Sequence, residues 1–374
     1  MKALILVGGF GTRLRPLTLA CPKPLVPFVN KPMIIHQVEA LKEAGVTEVI
    51  LAVAYRPDAM KAEMEEWGKK LGVKFVYSHE TTPMGTAGPL ALAREFLETD
   101  DEPFFVLNSD VTCKFPMKEL LAFHKHHGKE GTIMVTKVVD WTKYGVVVFE
   151  ESESSLGRGG PIQTFAEKPK QFVGDKINAG IYIFNKTILK RIPLQKTSIE
   201  TQIFPQMASA GELFAMELEG FWMDIGQPVD YLLGLSKFLP SLEGTPKGDL
   251  IVKAEEAKAK GFTVIGDVVI AAGVTVGAGA VLGPNVTIGE GSTIGACARL
   301  KNCAIFTNCK VGEGAFITQS IIGWNNTVGA WARVENNTVT GDDVTIFPEL
   351  HVNGAKVLPN KDLKVSVEKP EVIM

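Results

Sequence analysis

Apolar and polar positions follow two different patterns along the chain, and the change comes near residue 240. Before it, short β-branched apolar runs alternate with segments in which apolar residues recur every three or four positions. The run KALILV (2–7) indicates a strand, and PMIIHQVEALKEAG (32–45) indicates a helix that ends at a glycine. Strands that alternate with helices predict a mostly parallel sheet with helices on both faces.

Later apolar runs follow one another without helices between them. These runs cover residues 131–139, 144–150, 162–168 and 177–184. Because antiparallel strands need only short connections, the runs predict an antiparallel addition to the sheet that could wall a pocket. We therefore expect a Rossmann-like α/β domain with a mixed, mostly parallel sheet over residues 1–240.

A polar segment rich in Pro, Gly and Lys follows, and we interpret residues 241–262 as a linker. Beyond it, aliphatic residues occupy every sixth position from Ile270 to Leu300, and the phase then slips by one residue twice. A six-residue period fits neither an α-helix nor a hairpin but is the repeat of a parallel β-helix. The alternative, a set of short sandwich strands, does not recur at six. We expect a left-handed β-helix over residues 263–374, with about five turns in 263–350.

Composition and charge limit the classes of protein that fit. At 374 residues, with 45% hydrophobic and 22% charged residues, the chain is long enough for two domains with ordinary cores. Its net charge of −3 gives no broad positive surface, and no apolar stretch approaches the roughly 18 residues of a membrane span. Five cysteines without a C-x-x-C pair fit reduced thiols. We expect a soluble, cytoplasmic protein that binds neither nucleic acid nor membrane.

The first predicted strand leads into GGFGTRLRPLT, where three glycines and Arg13 follow one another closely. Ligands of doubly wound sheets bind at the carboxyl ends of strands, so a ligand is expected here. Gly8, Gly9 and Gly11 leave backbone N–H groups to face an anion, and the Arg13 guanidinium matches phosphate oxygens. Leu14 replaces the last glycine of a dinucleotide fingerprint, and the stretch is not a Walker A loop. We interpret it as a nucleotide-phosphate loop, the alternative being a tight turn with a solvated arginine.

Charged residues at other predicted strand ends and turns favour the phosphate interpretation. Lys23 stands between prolines in CPKPL, and Gly85 lies in PMGTAG, a second glycine-rich turn that leads into a helix. Asp110 ends FFVLNSD, Lys168 lies in FAEKP and Asp224 lies in FWMDIGQP. Two carboxylates for a hard cation, with an arginine and two lysines, suit phosphoryl or nucleotidyl transfer with Mg²⁺.

Taken in order, these motifs resemble those of a known family. The stretches GGFGTRLRPLT, PKPL, MGTAG, NSD, FAEKP, NAGIY and WMDIGQP occur here in the order of the sugar-phosphate nucleotidyltransferases. Within that family, KPLVPFVNKPMIIHQVEALKEAGVTEVILAV and the repeat ending in VLPNK resemble the catalytic, beta-type mannose-1-phosphate guanylyltransferases. The resemblance covers essentially the whole chain. The stretch GRGGP (157–161) departs from the family's pattern, and we expect it to enlarge a hairpin loop.

The resemblance implies transfer from GTP to mannose 1-phosphate, giving GDP-mannose and pyrophosphate, with Mg²⁺ as cofactor. It implies that the nucleotide is contacted by Leu6, Gly8, Gly9, Gly11, Thr12, Arg13, Lys23, Gly85, Asn108 and Asp110. It implies that the sugar phosphate is contacted by Gly145, Glu167, Lys168, Asn178 and Asp224. Of these, Arg13, Lys23 and Lys168 would be the catalytic residues. Asp110 and Asp224 would hold the Mg²⁺.

Alternatives stay open. The same chemistry with another nucleotide or hexose 1-phosphate fits, because nothing in MGTAG distinguishes the bases by residue chemistry. Hexapeptide β-helices also form acyltransferases, but those usually place a histidine among the coils, and only His351 follows residue 127 here. A non-catalytic regulatory subunit would tend to lose part of the motif set, which is complete here. We expect the β-helix to serve assembly, as a homo-oligomer or with a regulatory homologue.

Two clusters of possible metal ligands are given structural interpretations. His124 and His127 in HKHH share a helical face, but without a third ligand we interpret them as a solvated helix end. Cys297, Cys303 and Cys309 recur every six residues, and we interpret them as residues that fill the repeat and not as zinc ligands.

Overall fold

The computed structural model describes residues 1–53, 57–154 and 156–374. Its contacts divide the chain into two compact units, Met1–Gly9 with Ile34–Trp222 and Phe10–Met33 with Met223–Met374. The glycine-rich stretch thus begins in the first unit and continues in the second. A domain boundary at residue 240 with a linker over 241–262 stays a prediction. No helix in the described ranges is both long and apolar enough to cross a membrane.

The first unit is built on a mixed sheet. From one edge to the other its strands are Ser152–Ser154, Gly157–Glu167, Leu213–Glu217, Gly131–Lys137, Lys176–Phe184, Phe104–Asn108, Lys2–Leu6, Glu48–Val53 and Lys74–His79, with Gly145–Phe149 paired to two of them. The strand Lys2–Leu6 is parallel to the strands on either side, whereas Lys176–Phe184 is antiparallel to its neighbours. The predicted parallel sheet with an antiparallel addition is confirmed.

Helices alternate with the parallel strands, as the apolar periodicity predicts. They are Met33–Glu43, Pro57–Leu71, Gly88–Leu92, Arg94–Leu97, Met117–His127 and Phe204–Ser209, with a 3₁₀ segment at Lys186–Arg191 and a π-helical turn at Ile199–Ile203. One buried apolar cluster joins sheet residues such as Leu4, Ile50 and Tyr182 to helix residues such as Leu90 and Phe204. This cluster fixes the helices on the sheet and so fixes the ends of its strands.

The stretch 157–161 is not an enlarged hairpin loop. It forms the first part of the strand Gly157–Glu167, which pairs with Ser152–Ser154. A Cβ atom on Gly159 would lie only 2.2 Å from the carbonyl oxygen of Ala215. The prediction of an enlarged hairpin loop is wrong. The glycines here allow neighbouring strands to pack closely and do not form a flexible turn.

His124 and His127 of HKHH are packed and not solvated. His124 is 2% exposed, with Nδ1 2.9 Å from Thr132 Oγ1 and Nε2 3.2 Å from Asn185 Oδ1. His127 Nε2 lies 2.7 Å from the same hydroxyl, and its ring stacks on Phe214 with 4.2 Å between centroids. Burial lowers the pKa of both imidazoles, that of His127 to about 3. The predicted solvated helix end is wrong, because a threonine of the next strand binds both rings.

The second unit contains a parallel β-helix with three sheets. The first comprises Thr263–Val264, Val281–Leu282, Arg299–Lys301, Phe316–Thr318, Arg333–Glu335 and His351–Asn353. The second comprises Val268–Ile270, Val286–Ile288, Cys303–Ile305, Ile321–Ile322, Val339–Thr340, Lys356–Val357 and Val372–Ile373. The third comprises Thr275–Val276, Thr293–Ile294, Lys310–Val311, Thr327–Val328, Thr345–Ile346 and Asp362–Leu363.

The coil length explains both the repeat and its slips. In the first sheet the strands begin at residues 263, 281, 299, 316, 333 and 351, which gives 18 or 17 residues per coil. A coil of 17 residues is what a phase slip of one residue produces. Corresponding strands pair in parallel from coil to coil, so the predicted left-handed hexapeptide β-helix is confirmed. The coils continue past residue 350, where the sequence pattern weakens.

Shorter elements complete the second unit. They are the 3₁₀ turns Thr12–Leu14, Lys23–Leu25, Pro240–Leu242 and Pro246–Leu250, the helices Leu17–Ala20, Pro228–Phe238 and Ala254–Ala259, and the hairpin strands Pro27–Phe28 and Lys31–Pro32. Within 241–262, the side chains of Ala257 and Phe262 are buried in the β-helix core. Of the repeat cysteines, Cys303 and Cys309 are buried there too, whereas Cys297 is exposed.

Candidate functional site

The predicted site residues are divided between the two units. The first unit holds Leu6, Gly8, Gly9, Gly85, Asn108, Asp110, Gly145, Glu167, Lys168 and Asn178. The second unit holds Gly11, Thr12, Arg13, Lys23 and Asp224.

Two of the motifs begin at a reversal of strand order in the first unit. The parallel strands Lys2–Leu6 and Phe104–Asn108 are neighbours, with Leu6 opposite Asn108. The chain passes from the first of these to Glu48–Val53 on its other side, so the order of strands reverses between the pair. Ligands of doubly wound sheets bind at the carboxyl ends of strands at such a reversal. The glycine-rich turn and the NSD turn both start at this position.

The glycine-rich turn is exposed and lies against a buried glutamate. Gly8 and Gly9 are exposed, and Gly9 has a φ of 114°, which favours glycine. Glu80 Oε1 lies 3.5 Å from the place that a Cβ on Gly8 would take, and its Oε2 accepts a hydrogen bond from the Met84 N–H at 3.2 Å. Glu80 is 7% exposed, and this burial raises the pKa of its carboxyl, with the Met84 bond opposing the rise.

Glu80 therefore joins the two glycine-rich turns, a role that sequence reasoning missed. The only signal was its place directly after the apolar run KFVYSH, where a strand ends.

The second glycine-rich turn is bonded to a distant segment of the chain. Gly85 has a φ of 77°, and a Cβ on it would lie 2.5 Å from the carbonyl oxygen of Thr197. The Thr197 N–H donates to the Met84 carbonyl at 3.0 Å, and Thr86 Oγ1 donates to Glu200 Oε2 at 2.6 Å. Glycine is required at 85 by this close approach. Nothing in the sequence pointed to Thr197 or Glu200, because the contact spans more than 100 residues.

The NSD turn is held by a buried glutamine. Asp110 is half-buried and lies just past the end of its strand. Gln37 is fully buried, and its Nε2 donates to the carbonyl oxygens of Asn108 at 2.8 Å and Val111 at 3.1 Å, on either side of Asp110. A Cβ on Gly180 would lie 2.6 Å from Asn108 Nδ2, so the NAGIY glycine gives the asparagine side chain its space. Sequence reasoning had placed Gln37 only on a helix.

Of the residues expected to contact the sugar phosphate, Gly145, Glu167 and Asn178 lie on three paired strands, and Lys168 directly follows one of them. Gly145 and Glu167 are opposite each other, and a Cβ on Gly145 would lie 2.8 Å from Glu167 Oε2. Lys168 Nζ lies 3.3 Å from Glu167 Oε1, and the Lys168 side chain is largely exposed. The backbone of Lys168 has a φ of 43°. The strand of Gly145 also pairs with the strand of Asn178, whose Nδ2 donates to the Tyr182 hydroxyl at 2.8 Å.

In the second unit, the remainder of the glycine-rich stretch packs against Lys23. Gly11 has a φ of 59°, and a Cβ on it would lie 3.1 Å from Lys23 Cβ and 2.9 Å from Thr18 Cγ2. Thr18 Oγ1 donates to the Gly11 carbonyl at 2.8 Å. Thr12 and Arg13 follow in a 3₁₀ turn. The loop and Lys23 are therefore brought together, as the sequence predicts.

Asp224 lies beside Arg13 in the same unit. Arg13 Nη2 is 3.9 Å from Asp224 Oδ2, and the carboxylate is 22% exposed. Its Oδ1 accepts a hydrogen bond from the Gly226 N–H at 2.8 Å, which fixes its orientation.

Asp110, in the first unit, and Asp224, in the second, are expected to bind a divalent cation, and this stays a prediction. Mg²⁺ at nucleotide sites keeps several waters and is bound through one or two carboxylates together with phosphate oxygens. Each of the two carboxylates is half-buried in its own unit. Within the described ranges, no three His, Cys, Asp or Glu side chains form a group that could hold a metal.

Comparison with known proteins settles the family. Residues 2–239 match the family model described as nucleotidyl transferase, and residues 264–373 match that of the GMPPB C-terminal domain. The mannose-1-phosphate guanylyltransferase catalytic subunit beta of Dictyostelium discoideum is 56% identical over 374 residues, covering 100% of each chain. The chain belongs to the mannose-1-phosphate guanylyltransferase family of nucleotidyltransferases. The resemblance seen in the motifs is thereby confirmed.

Other members of the family align equally completely. The mannose-1-phosphate guanyltransferase beta-A of Xenopus laevis is 55% identical, with 100% of each chain covered. Among solved structures, a UDP-glucose pyrophosphorylase complexed with UDP-glucose has a TM-score of 0.54 at 20% identity and covers 62% of this chain and 96% of its own, which shows a shared fold. HddC from Yersinia pseudotuberculosis has a TM-score of 0.52 at 28% identity, covering 63% and 99%. Nucleotidyltransferases generally depend on a divalent metal ion.

Proposed function

We propose that the chain transfers the GMP group of GTP to mannose 1-phosphate, giving GDP-mannose and pyrophosphate. One observation carries the proposal: a complete motif set in a chain that aligns end to end with relatives named for this reaction. The reversal of strand order at the glycine-rich and NSD turns supports a nucleotide there.

The reaction needs little covalent chemistry from the protein. A phosphate oxygen of mannose 1-phosphate attacks the α-phosphorus of GTP, and the bond between that phosphorus and the bridging oxygen to the β-phosphorus breaks. Catalysis therefore consists of holding two polyanions in line and neutralising their charge. We assign Arg13 and Lys23 to the triphosphate, where they would stabilise the departing pyrophosphate. We assign Lys168 to the phosphate of the sugar.

Backbone and polar groups complete the two subsites in this proposal. The nucleotide would lie along the turns that contain Leu6, Gly8, Gly9, Gly11, Thr12, Gly85 and Asn108. The hexose would be surrounded by Gly145, Glu167 and Asn178. The pairing of the strands of Gly145, Glu167 and Asn178 supports the sugar subsite.

Mg²⁺ is the metal that we propose, held by Asp110 and Asp224. When bound it supplies positive charge to the phosphates. The hydrogen bond from the Gly226 N–H to Asp224 and the two Gln37 bonds around Asp110 would orient the carboxylates. Preorganised carboxylates of this kind bind a metal without first having to reorder.

The proposal extends to assembly and location. We propose a homo-oligomer formed through the β-helix, which a regulatory homologous subunit could join. Trp331 supports an interface, since its side chain is 62% exposed on the coils. We also propose a cytoplasmic location, since all five cysteines are free thiols, as is usual in a reducing compartment.

Pyrophosphate release tests the function directly. The full chain would be assayed with Mg²⁺ and GTP, ATP, UTP or dTTP, each against mannose 1-phosphate and glucose 1-phosphate. We expect a strong preference for GTP with mannose 1-phosphate. Preference for another pair would keep the chemistry and change the substrates. Absence of release from every pair, with the chain folded, would favour a regulatory subunit.

A further inference from the structure

The loop that carries Arg13 and Lys23 forms one compact unit with the β-helix. Phe10–Met33 clusters by its contacts with Met223–Met374. Leu14, Leu17 and Phe28 are fully buried within this unit. The nucleotide loop is thus supported by the C-terminal region, and two sets of contacts join the loop to the β-helix.

A hairpin at the end of the loop makes the first connection. Pro27–Phe28 pairs with Lys31–Pro32, and the two turn residues, Val29 and Asn30, have φ values of 49° and 61°. Two successive positive φ values are typical of a type I′ turn, which favours asparagine. At the tip, Asn30 Nδ2 donates to the carbonyl oxygen of Ile288 at 2.9 Å. Ile288 is the last residue of a β-helix strand, so the hairpin is bonded directly to a coil.

A row of aromatic rings makes the second connection. Tyr231 is 1% exposed and its hydroxyl donates to the Pro27 carbonyl at 2.5 Å. Its ring meets Phe28 edge-on with 5.3 Å between centroids, and meets Phe306 of the β-helix at 6.5 Å. Phe306 in turn lies 4.9 Å from Trp324 of the next coil. The row therefore runs from the hairpin into the coils.

Backbone hydrogen bonds carry the support from the hairpin to the charged residues. The Met33 N–H donates to the Val26 carbonyl at 3.0 Å, and the Val26 N–H donates to the Lys23 carbonyl at 3.1 Å. Gly11 packs against Lys23, and Arg13 follows two residues later. These bonds connect the hairpin to the turn that carries Lys23.

We infer that the early coils of the β-helix hold the nucleotide loop in its binding conformation, with Asn30 and Tyr231 as the positioning residues. The β-helix then has a part in nucleotide binding besides assembly. Neither residue is assigned a substrate contact; each acts through the loop. The inference rests on the proposed function, since it takes the ligand of Arg13 and Lys23 to be a nucleoside triphosphate.

The test compares two asparagines in the full chain. Asn30→Gly keeps the left-handed turn and removes the bond to Ile288. Asn336→Gly is the matched control, because Asn336 has a φ of 58° and donates to Asn353 Oδ1 at 2.8 Å along a β-helix corner. GTP binding would be measured by calorimetry without sugar phosphate, alongside KM, kcat and Tm.

We expect Asn30→Gly to bind GTP about three- to tenfold more weakly, as loss of one hydrogen bond allows, with a matching rise in KM for GTP. KM for mannose 1-phosphate should change less than twofold. The control Asn336→Gly should lose about as much thermal stability as Asn30→Gly but bind GTP as tightly as the wild-type chain. Tyr231→Phe, which removes only the hydroxyl, should weaken GTP binding in the same direction while the fold is kept.

Equal GTP affinity of Asn30→Gly and the wild-type chain would overturn the inference, as would an equal loss in the Asn336→Gly control. The proposed function fails separately, if the wild-type chain turns over another substrate pair. The same variants would then be compared with the nucleotide that the wild-type chain uses.

Discussion

Arg13 Nη2 lies 3.9 Å from Asp224 Oδ2, which pairs a candidate phosphate ligand with a candidate metal ligand. Arg13 is 60% exposed, so this ion pair contributes about 0–1 kcal/mol to stability. Such a weak pair is easily broken, so both charges remain able to bind the triphosphate and the metal that are proposed as their ligands.

For Asp224→Asn we predict a higher Mg²⁺ requirement and a loss of turnover on the order of 10²–10³, since one contact to developing charge is removed. Thermal stability should change little, because Arg13 is 60% exposed and asparagine can still accept the hydrogen bond from the Gly226 N–H. Asp101→Asn is a fair control, since Asp101 is exposed and paired with Lys186 at the opposite end of the strand Phe104–Asn108. An unchanged Mg²⁺ titration for Asp224→Asn would remove Asp224 from the metal site.

Asp110→Asn and Lys168→Ala should each lower turnover on the order of 10²–10³ while the fold is retained. Circular dichroism would check the fold, and pyrophosphate release would give the rate. Lys125→Ala serves as the control for lysine loss, because Lys125 forms an exposed ion pair with Glu102. A folded variant that keeps nearly full activity would take its residue out of the mechanism.

Gly85→Ala should destabilise the protein more than Gly72→Ala. Both glycines have positive φ values, 77° and 66°, so alanine costs about 1–2 kcal/mol at each. Only Gly85 faces a backbone atom, the Thr197 carbonyl oxygen, which must move to admit a Cβ. Urea unfolding of the two variants measures the difference. Equal free energies of unfolding would mean that the turn at Gly85 adjusts freely.

Glu80→Gln should keep or raise stability at neutral pH and leave KM for GTP little changed. Burial raises the pKa of Glu80, so the protonated form is favoured in the folded chain, and this stabilisation is lost as pH rises through the folded pKa. Glutamine can still accept from the Met84 N–H without a buried charge. Tm at pH 7 and KM for GTP give the two readouts. A Tm for Glu80→Gln far below that of the wild-type chain would contradict the inference that burying the charged carboxylate destabilises the fold.

His127 should make the fold sensitive to acid. Its folded pKa is about 3 against an ordinary 6.5, so the unfolded chain binds more protons between these values. The contribution of neutral His127 is present above pH 6.5 and is lost as pH falls toward 3. We predict that His127→Gln, although less stable at pH 7.5, loses less stability than the wild-type chain between pH 7.5 and 5. Denaturant titrations at both pH values measure the free energy of unfolding. An equal decrease for His127→Gln and the wild-type chain would show that His127 does not cause the acid sensitivity.

The sequence predicts most of the fold because its signals are local. The alternation of apolar runs gives the sheet and its helices, and the six-residue period gives the coils from Ile270 onward. The same local interpretation fails for the stretch 157–161, since Gly159 and Gly160 are needed for the close approach of the carbonyl oxygens of Ala215 and Glu150 and not for a turn. It fails for His124 in the same way, because the burial of that ring depends on Thr132 and Asn185.

Some residues of the candidate site can be predicted from local sequence patterns, and others cannot. Motif residues such as Asp110 and Gly85 stand out because charge or glycine follows an apolar run. Gln37 and Glu80 do not stand out, since a glutamine within a helix and a glutamate after a strand are ordinary in sequence. Their importance comes from two or three atoms placed by tertiary packing, which no local pattern encodes.

The coil length of 17 or 18 residues makes the β-helix modular. Each coil offers the same three strand edges to the next, so removal or duplication of a whole coil restores the register of all three sheets. Removal of one or two residues does not. Because the hairpin bonds to Ile288 in an early coil, whole coils beyond Trp324 can be added or removed without touching the support of the nucleotide loop. Support of the nucleotide loop thus constrains the first coils of the C-terminal region and not the number of coils that follow them.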